Sequence, residues 1–202
     1  MTEKSQKIID FLFENLQKEE HTQSVKDDIP NFQSRDNELS NIGNAGVVLL
    51  VPFLPRLFSL LQLTENGNFK DEDSKIRAIF ILQHAIFGST EFPENELQLN
   101  KLLTGFINIK TSFPNSLTLT DDEKNTTRSM LEGVVQHWNK VKTIDGLQEG
   151  FLQRQGRLKE KEELFELIVE SKVFDVLLDT IPWNFNTIKF SWMQKPIYVK
   201  WR

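Results

Sequence analysis

Apolar positions recur with helical spacing over roughly the first two thirds of the chain and alternate one by one near its end. Ile9, Leu12, Phe13 and Leu16 stand at i, i+3, i+4 and i+7 while Lys4, Lys7, Glu14 and Lys18 lie elsewhere, which predicts a short amphipathic helix. An apolar stripe of that kind needs something to pack on. From Glu19 to Asn44 the residues are polar and aperiodic, with Asp27, Asp28 and Pro30 among many Ser, Asn and Gln, a linker composition. The chain is therefore read as an amphipathic helix plus polar linker over 1–43 and a folded domain over 44–202.

Ala45 to Leu63 is the most apolar window and is long enough, at about twenty residues, to suggest a membrane span. Pro52, Pro55 and Arg56 argue otherwise, because lipid would leave backbone groups and a charge unsatisfied where protein neighbours satisfy both. A buried helix and no stable membrane insertion are expected. Asp73 or Ser74 can cap the next helix, which runs to Phe87 and stops at Gly88, with Ile76, Ile79, Phe80 and Phe87 inward. Pro93 opens a short helix through Leu97, Leu99, Leu102 and Leu103 that ends before Gly105. Thr120 with Glu123 three residues later forms a capping box, and Met130, Val134, His137 or Trp138, and Val141 line one face of the helix it starts.

Beyond Thr143 the period changes. A helical turn at Gly146 to Gly150 leads into Phe151–Leu158, and after the charged stretch Lys159–Glu163 the residues Phe165, Leu167 and Val169 alternate with Glu166, Ile168 and Glu170, a hairpin pattern. Phe174, Leu177, Leu178 and Ile181 return to helical spacing before Pro182. Ile188, Phe190 and Trp192, then Ile197, Val199 and Trp201, alternate again and predict a second hairpin. The fold class expected is α+β, helices over the N-terminal two thirds and a small antiparallel sheet at the C-terminal end.

Composition narrows the function more than it names it. With 202 residues, 39% hydrophobic and 26% charged, the chain suits one soluble domain with an extension. A net charge of -5 argues against nucleic acid as partner, and no cysteine means no disulfide framework and no thiolate nucleophile. The start lacks the apolar core of a secretory signal, so a cytoplasmic protein is expected. Sixteen Phe and four Trp stand against one Tyr, and Trp183, Trp192 and Trp201 crowd the end, which predicts a dense small core or a packing surface there. No phosphate-cradling glycine loop, nucleophile elbow or zinc-type His pair is present. His84 and His137 sit near apolar stripes, as hydrogen-bonded core histidines do. Asp175 and Asp179, four apart, are read as an exposed helix face rather than an acid–base or metal pair. Catalytic, metal and cofactor residues are accordingly expected to be absent.

Seven stretches in order resemble the conserved domain of tape-measure proteins of contractile injection systems, the phage-tail-like particles of bacteria. They are Asn44–Phe58, Leu82–His84, Glu94–Leu97 with Leu102–Gly105, Val134–Trp138, Gly146–Leu158, Phe174–Asp179 with Pro182-Trp183, and Trp192–Trp201. The resemblance implies a structural role in particle assembly, with tube, baseplate or cap proteins as partners and no catalytic residue to carry over. About 44 residues precede the matched part, on the order of 145 Å fully extended or 65 Å as helix, short for a ruler of a long tube. A short paralogue, a particle-end component or a fragment is expected, cytoplasmic or incorporated into a released particle. The contact residues favoured are Ile9, Leu12, Phe13 and Leu16 on the N-terminal stripe, and Arg154, Trp192, Pro196, Tyr198 and Trp201 toward the C-terminus. The alternative is a stand-alone adaptor that docks an effector or partner through the N-terminal helix.

Overall fold

The computed structural model describes residues 37–106 and 113–202, so the expected helix with Ile9, Leu12, Phe13 and Leu16 lies outside the described residues. By its contacts the chain divides into units 1–34 and 35–202, and the described elements all lie in the second. Its strands are β1 (Asn37–Ile42), β2 (Thr64–Glu65), β3 (Asn68–Phe69), β4 (Gly156–Glu160), β5 (Phe165–Val169), β6 (Thr187–Ile188) and β7 (Ile197–Lys200). Its α-helices are α1 (Leu54–Leu60), α2 (Glu72–Phe87), α3 (Gln98–Leu103), α4 (Asp121–Trp138) and α5 (Ile144–Leu147). Tighter 3-10 turns run over Ala45–Phe53, Glu94–Leu97 and Val173–Thr180.

The fold is α+β, with a five-stranded sheet ordered β1-β4-β5-β7-β6 and a separate β2–β3 hairpin. Two features of the sheet depart from the expected C-terminal antiparallel hairpins. First, β1 falls in the stretch whose composition reads as linker, where Asn37–Ile42 pairs antiparallel with β4. An edge strand covered on one side needs few apolar residues, so polar composition hides it. Second, β5 and β7 run parallel, with Leu167 beside Val199 and Phe165 beside Ile197. Alternation assigns a residue to a face and says nothing about the direction of the neighbouring strand. The β4–β5 hairpin is antiparallel as its pattern predicts, while the β6–β7 ladder keeps only two residue pairs, so Phe190 and Trp192 leave the sheet.

Leu158, Leu167, Val169, Ile188, Ile197 and Val199 form the inner face of the sheet and join one core with the helices. Ala45 to Val51 is buried without interruption, which fulfils the core expectation for that window, although it winds as a 3-10 turn before α1. Pro52, Pro55 and Arg56 sit on the exposed side. Gly46 lets this segment touch the Gln148–Leu152 turn: a Cβ there would stand 1.7 Å from the Phe151 carbonyl oxygen. Asn44 joins α2 and α3 from within, its Nδ2 donating to Asn100 Oδ1 at 3.1 Å while Asn100 Nδ2 donates to Gln83 Oε1 at 2.8 Å.

The helix ends follow their caps. Glu123 N donates to Thr120 Oγ1 at 3.2 Å and Thr120 N to Glu123 Oε2 at 2.7 Å, the predicted capping box. Asp71, two residues ahead of the expected start, caps α2 by accepting from Ser74 N at 2.7 Å, and Gly88 closes it at φ 70°. Arg77 on α2 donates through both Nε and Nη2 to the Glu123 carboxylate, each at 2.7 Å, which fastens the two helices together.

Candidate contact surface

The residues expected to make contacts divide sharply between interior and surface. Arg154 is fully enclosed; its Nη2 pairs with the Asp175 carboxylate, and the guanidinium carbon lies 4.8 Å from the centre of the Phe174 ring and 5.6 Å from that of Trp201. Trp201 donates its indole N–H to Asp175 Oδ2 at 3.0 Å, and Lys172 N donates to the same oxygen at 2.8 Å. Arg154 and Trp201 therefore belong to the interior of this chain rather than to a contact face.

The exposed-face reading of Asp175 is corrected too, because it is 1% exposed. Val173–Thr180 winds as a 3-10 turn, and a period of three places Asp175 on the same side as Leu178 and Ile181. The same winding turns Val176 outward and leaves Val173 98% exposed. Asp179 points away and pairs with Arg202 at 2.9 Å, so the two carboxylates do not converge.

Trp192 is half-buried. Its N–H donates to Leu103 O at 2.9 Å, and its ring stacks on Phe190 with centres 4.7 Å apart. Gly105 permits this approach: at φ 63° it brings a virtual Cβ within 2.1 Å of the Trp192 carbonyl oxygen. Trp138 donates to Thr180 Oγ1 at 3.0 Å and Trp183 to Leu49 O at 3.1 Å. Each tryptophan thus ties together two segments far apart in sequence. Pro196 is half-buried and its carbonyl accepts from Phe165 N at 2.8 Å, where the parallel β5–β7 pairing begins. Of the five favoured C-terminal residues, Tyr198 is the one on the surface, at 44% exposure, beside Thr187 and Glu166 on the outer sheet face. Next to it Glu166 lies between Lys200 at 2.7 Å and Lys161 at 3.2 Å; the Lys200 hydrogen bond chiefly holds its carboxyl below the ordinary value.

His137 is exposed rather than part of the core, with Nδ1 3.0 Å from Gly133 O and its ring edge-on to Phe53. Its place in the helical stripe is taken by Leu131, Val134 and Trp138. His84 is half-buried, and burial is the main reason its pKa is lowered. Among the described residues no group of three or more His, Asp or Glu could hold a metal ion, and no helix is long and apolar enough to cross a membrane.

One surface feature escapes the sequence reading. Leu60, 57% exposed at the end of α1, borders a groove of about 420 Å³ between α1 and α4. Phe53, Leu57 and Met130 line it, together with the exposed Arg56 and His137. The two helices are separated by some sixty residues, so only the tertiary fold brings them together.

Among known families, the one described as contractile injection system tape measure protein matches residues 2–201, including the N-terminal stripe as well as the folded unit. No curated protein and no solved structure matches the chain.

Proposed function

The chain belongs to the contractile injection system tape measure protein family, and from that premise we propose that it is a non-catalytic assembly component of a phage-tail-like contractile particle, acting through contact surfaces. The observation that carries this reading is the match over 2–201. Two structural facts support it. The described residues of the second unit wind into a sheet covered by helices, which offers faces to neighbours. The buried ionisable side chains of Asp175, Glu123 and Arg154 hold segments of the chain together. The partners that fit are tube, baseplate or cap proteins.

Deleting the gene in the bacterium that carries it, and imaging purified particles by electron microscopy, tests the proposal. Absent or misassembled particles, together with co-purification of the tagged chain with sheath and tube, are the expected result. Particles normal in number and length without the chain would overturn it. The adaptor reading, which rests on Ile9, Leu12, Phe13 and Leu16, predicts in contrast intact particles that lack one cargo.

A further inference from the structure

We propose that the groove between α1 and α4 is a docking site for an amphipathic helix of a partner protein, apolar on the face it buries and carrying carboxylates along the flank that passes Arg56. Three observations converge on it. The walls are apolar and include Leu60, whose side chain stays largely in water with nothing in the described residues packed over it. An apolar face of this form, walled by two helices, is what helix-in-groove recognition uses.

The second observation is Gly133, which lines the groove in the interior of the 18-residue helix α4. A glycine inside a helix lowers its stability relative to alanine. Packing within the chain does not require it: a Cβ at Gly133 would meet no atom within 4 Å, and its backbone is not in the left-handed region. The missing side chain leaves the floor of the groove low, so another backbone can approach α4 closely. Gly46 and Gly105 serve that purpose inside the fold; Gly133 presents it to the outside.

The third is charge. Among the described residues no carboxylate lines the groove, while Arg56, which lines it, stands exposed without an ion partner. A helix with glutamates on its flank is attracted; one with lysines is repelled. This inference does not depend on the particle role, since it is decided by the groove alone and tested without particles.

The test uses the full-length chain and two synthetic helical peptides with the same leucine stripe, one with glutamates and the other with lysines on the flank, followed by fluorescence anisotropy. The glutamate peptide is expected to bind about tenfold or more tightly than the lysine peptide. Arg56→Glu, at an exposed position, should reverse that preference. Gly133→Leu should abolish binding while its thermal midpoint, recorded in parallel, does not fall, and Leu60→Ser gives a second variant that should weaken binding. The proposal is overturned by absence of saturable binding, by equal binding of both peptides, or by unchanged binding in a folded Gly133→Leu protein. Concentration-dependent dimerisation that Gly133→Leu removes would make a second copy the occupant and overturn it as well.

Discussion

The Trp201 indole N–H lies 3.0 Å from Asp175 Oδ2, and with Arg154 on the other carboxylate oxygen the contact fastens the strand β7, the 3-10 turn after β5 and the segment before β4 at one buried point. Both charges of the ion pair are shut away from water, where an unpaired charge is far more costly than at the surface.

Replacing Asp175 by Asn leaves the enclosed Arg154 guanidinium without its counter-charge. The expected loss is about 3–5 kcal/mol by urea titration, whereas Asp179→Asn, whose carboxylate is exposed, should change stability by no more than about 1 kcal/mol. Similar midpoints for the two variants would mean that the buried pair does not anchor the fold.

Trp201→Ala should cost about 3–5 kcal/mol, the range for truncating a buried aromatic, and Trp192→Ala somewhat less because that ring is only half-buried. Tyr198→Ala should stay within about 0.5 kcal/mol, as surface substitutions do. Denaturant midpoints measured side by side decide it; a large loss at Tyr198 would move that residue from surface to framework.

A fragment starting at Arg35 is expected to melt cooperatively by circular dichroism, and one starting at Asn44 at a lower temperature. The shorter fragment lacks all of β1 and the buried Ile42, and exposes the β4 edge. Equal melting points would show that β1 contributes nothing to the unit.

Glu123 supplies a pH dependence. Burial alone would raise its carboxyl, but the Arg77 fork and the Thr120 N–H outweigh burial and keep it below the ordinary value of 4.5. A group with a depressed folded pKa stabilises fully above its unfolded value and loses that contribution as the pH falls through the folded one. The midpoint difference between wild type and Glu123→Gln should therefore be large at about pH 7 and shrink toward about pH 3. A difference that grows on acidification would contradict the pairing.

Much of this was readable in the residues themselves because it is local. The Thr120–Glu123 box, the Gly88 stop and the Phe165–Val169 alternation depend on neighbours three or four positions away, and each appears where its pattern puts it. Asn66-Gly67, both at positive φ between β2 and β3, is an equally local hairpin signal. The resemblance reached family level from short strings of residues, and the match over 2–201 agrees with it.

What local pattern cannot carry is which distant segment a residue meets. An α-helical period puts Asp175 on an exposed face, and only a 3-10 winding against Arg154 makes it interior. β1 looked like linker because an edge strand gains its order from β4, more than a hundred residues away. The groove at Gly133 exists only because α1 packs beside α4. Caps and periodicity are decided by hydrogen bonds and side-chain spacing along one stretch of chain, so the sequence alone determined them. Burial, strand direction and open surface depend on which segments share the core, and only the tertiary structure decided those.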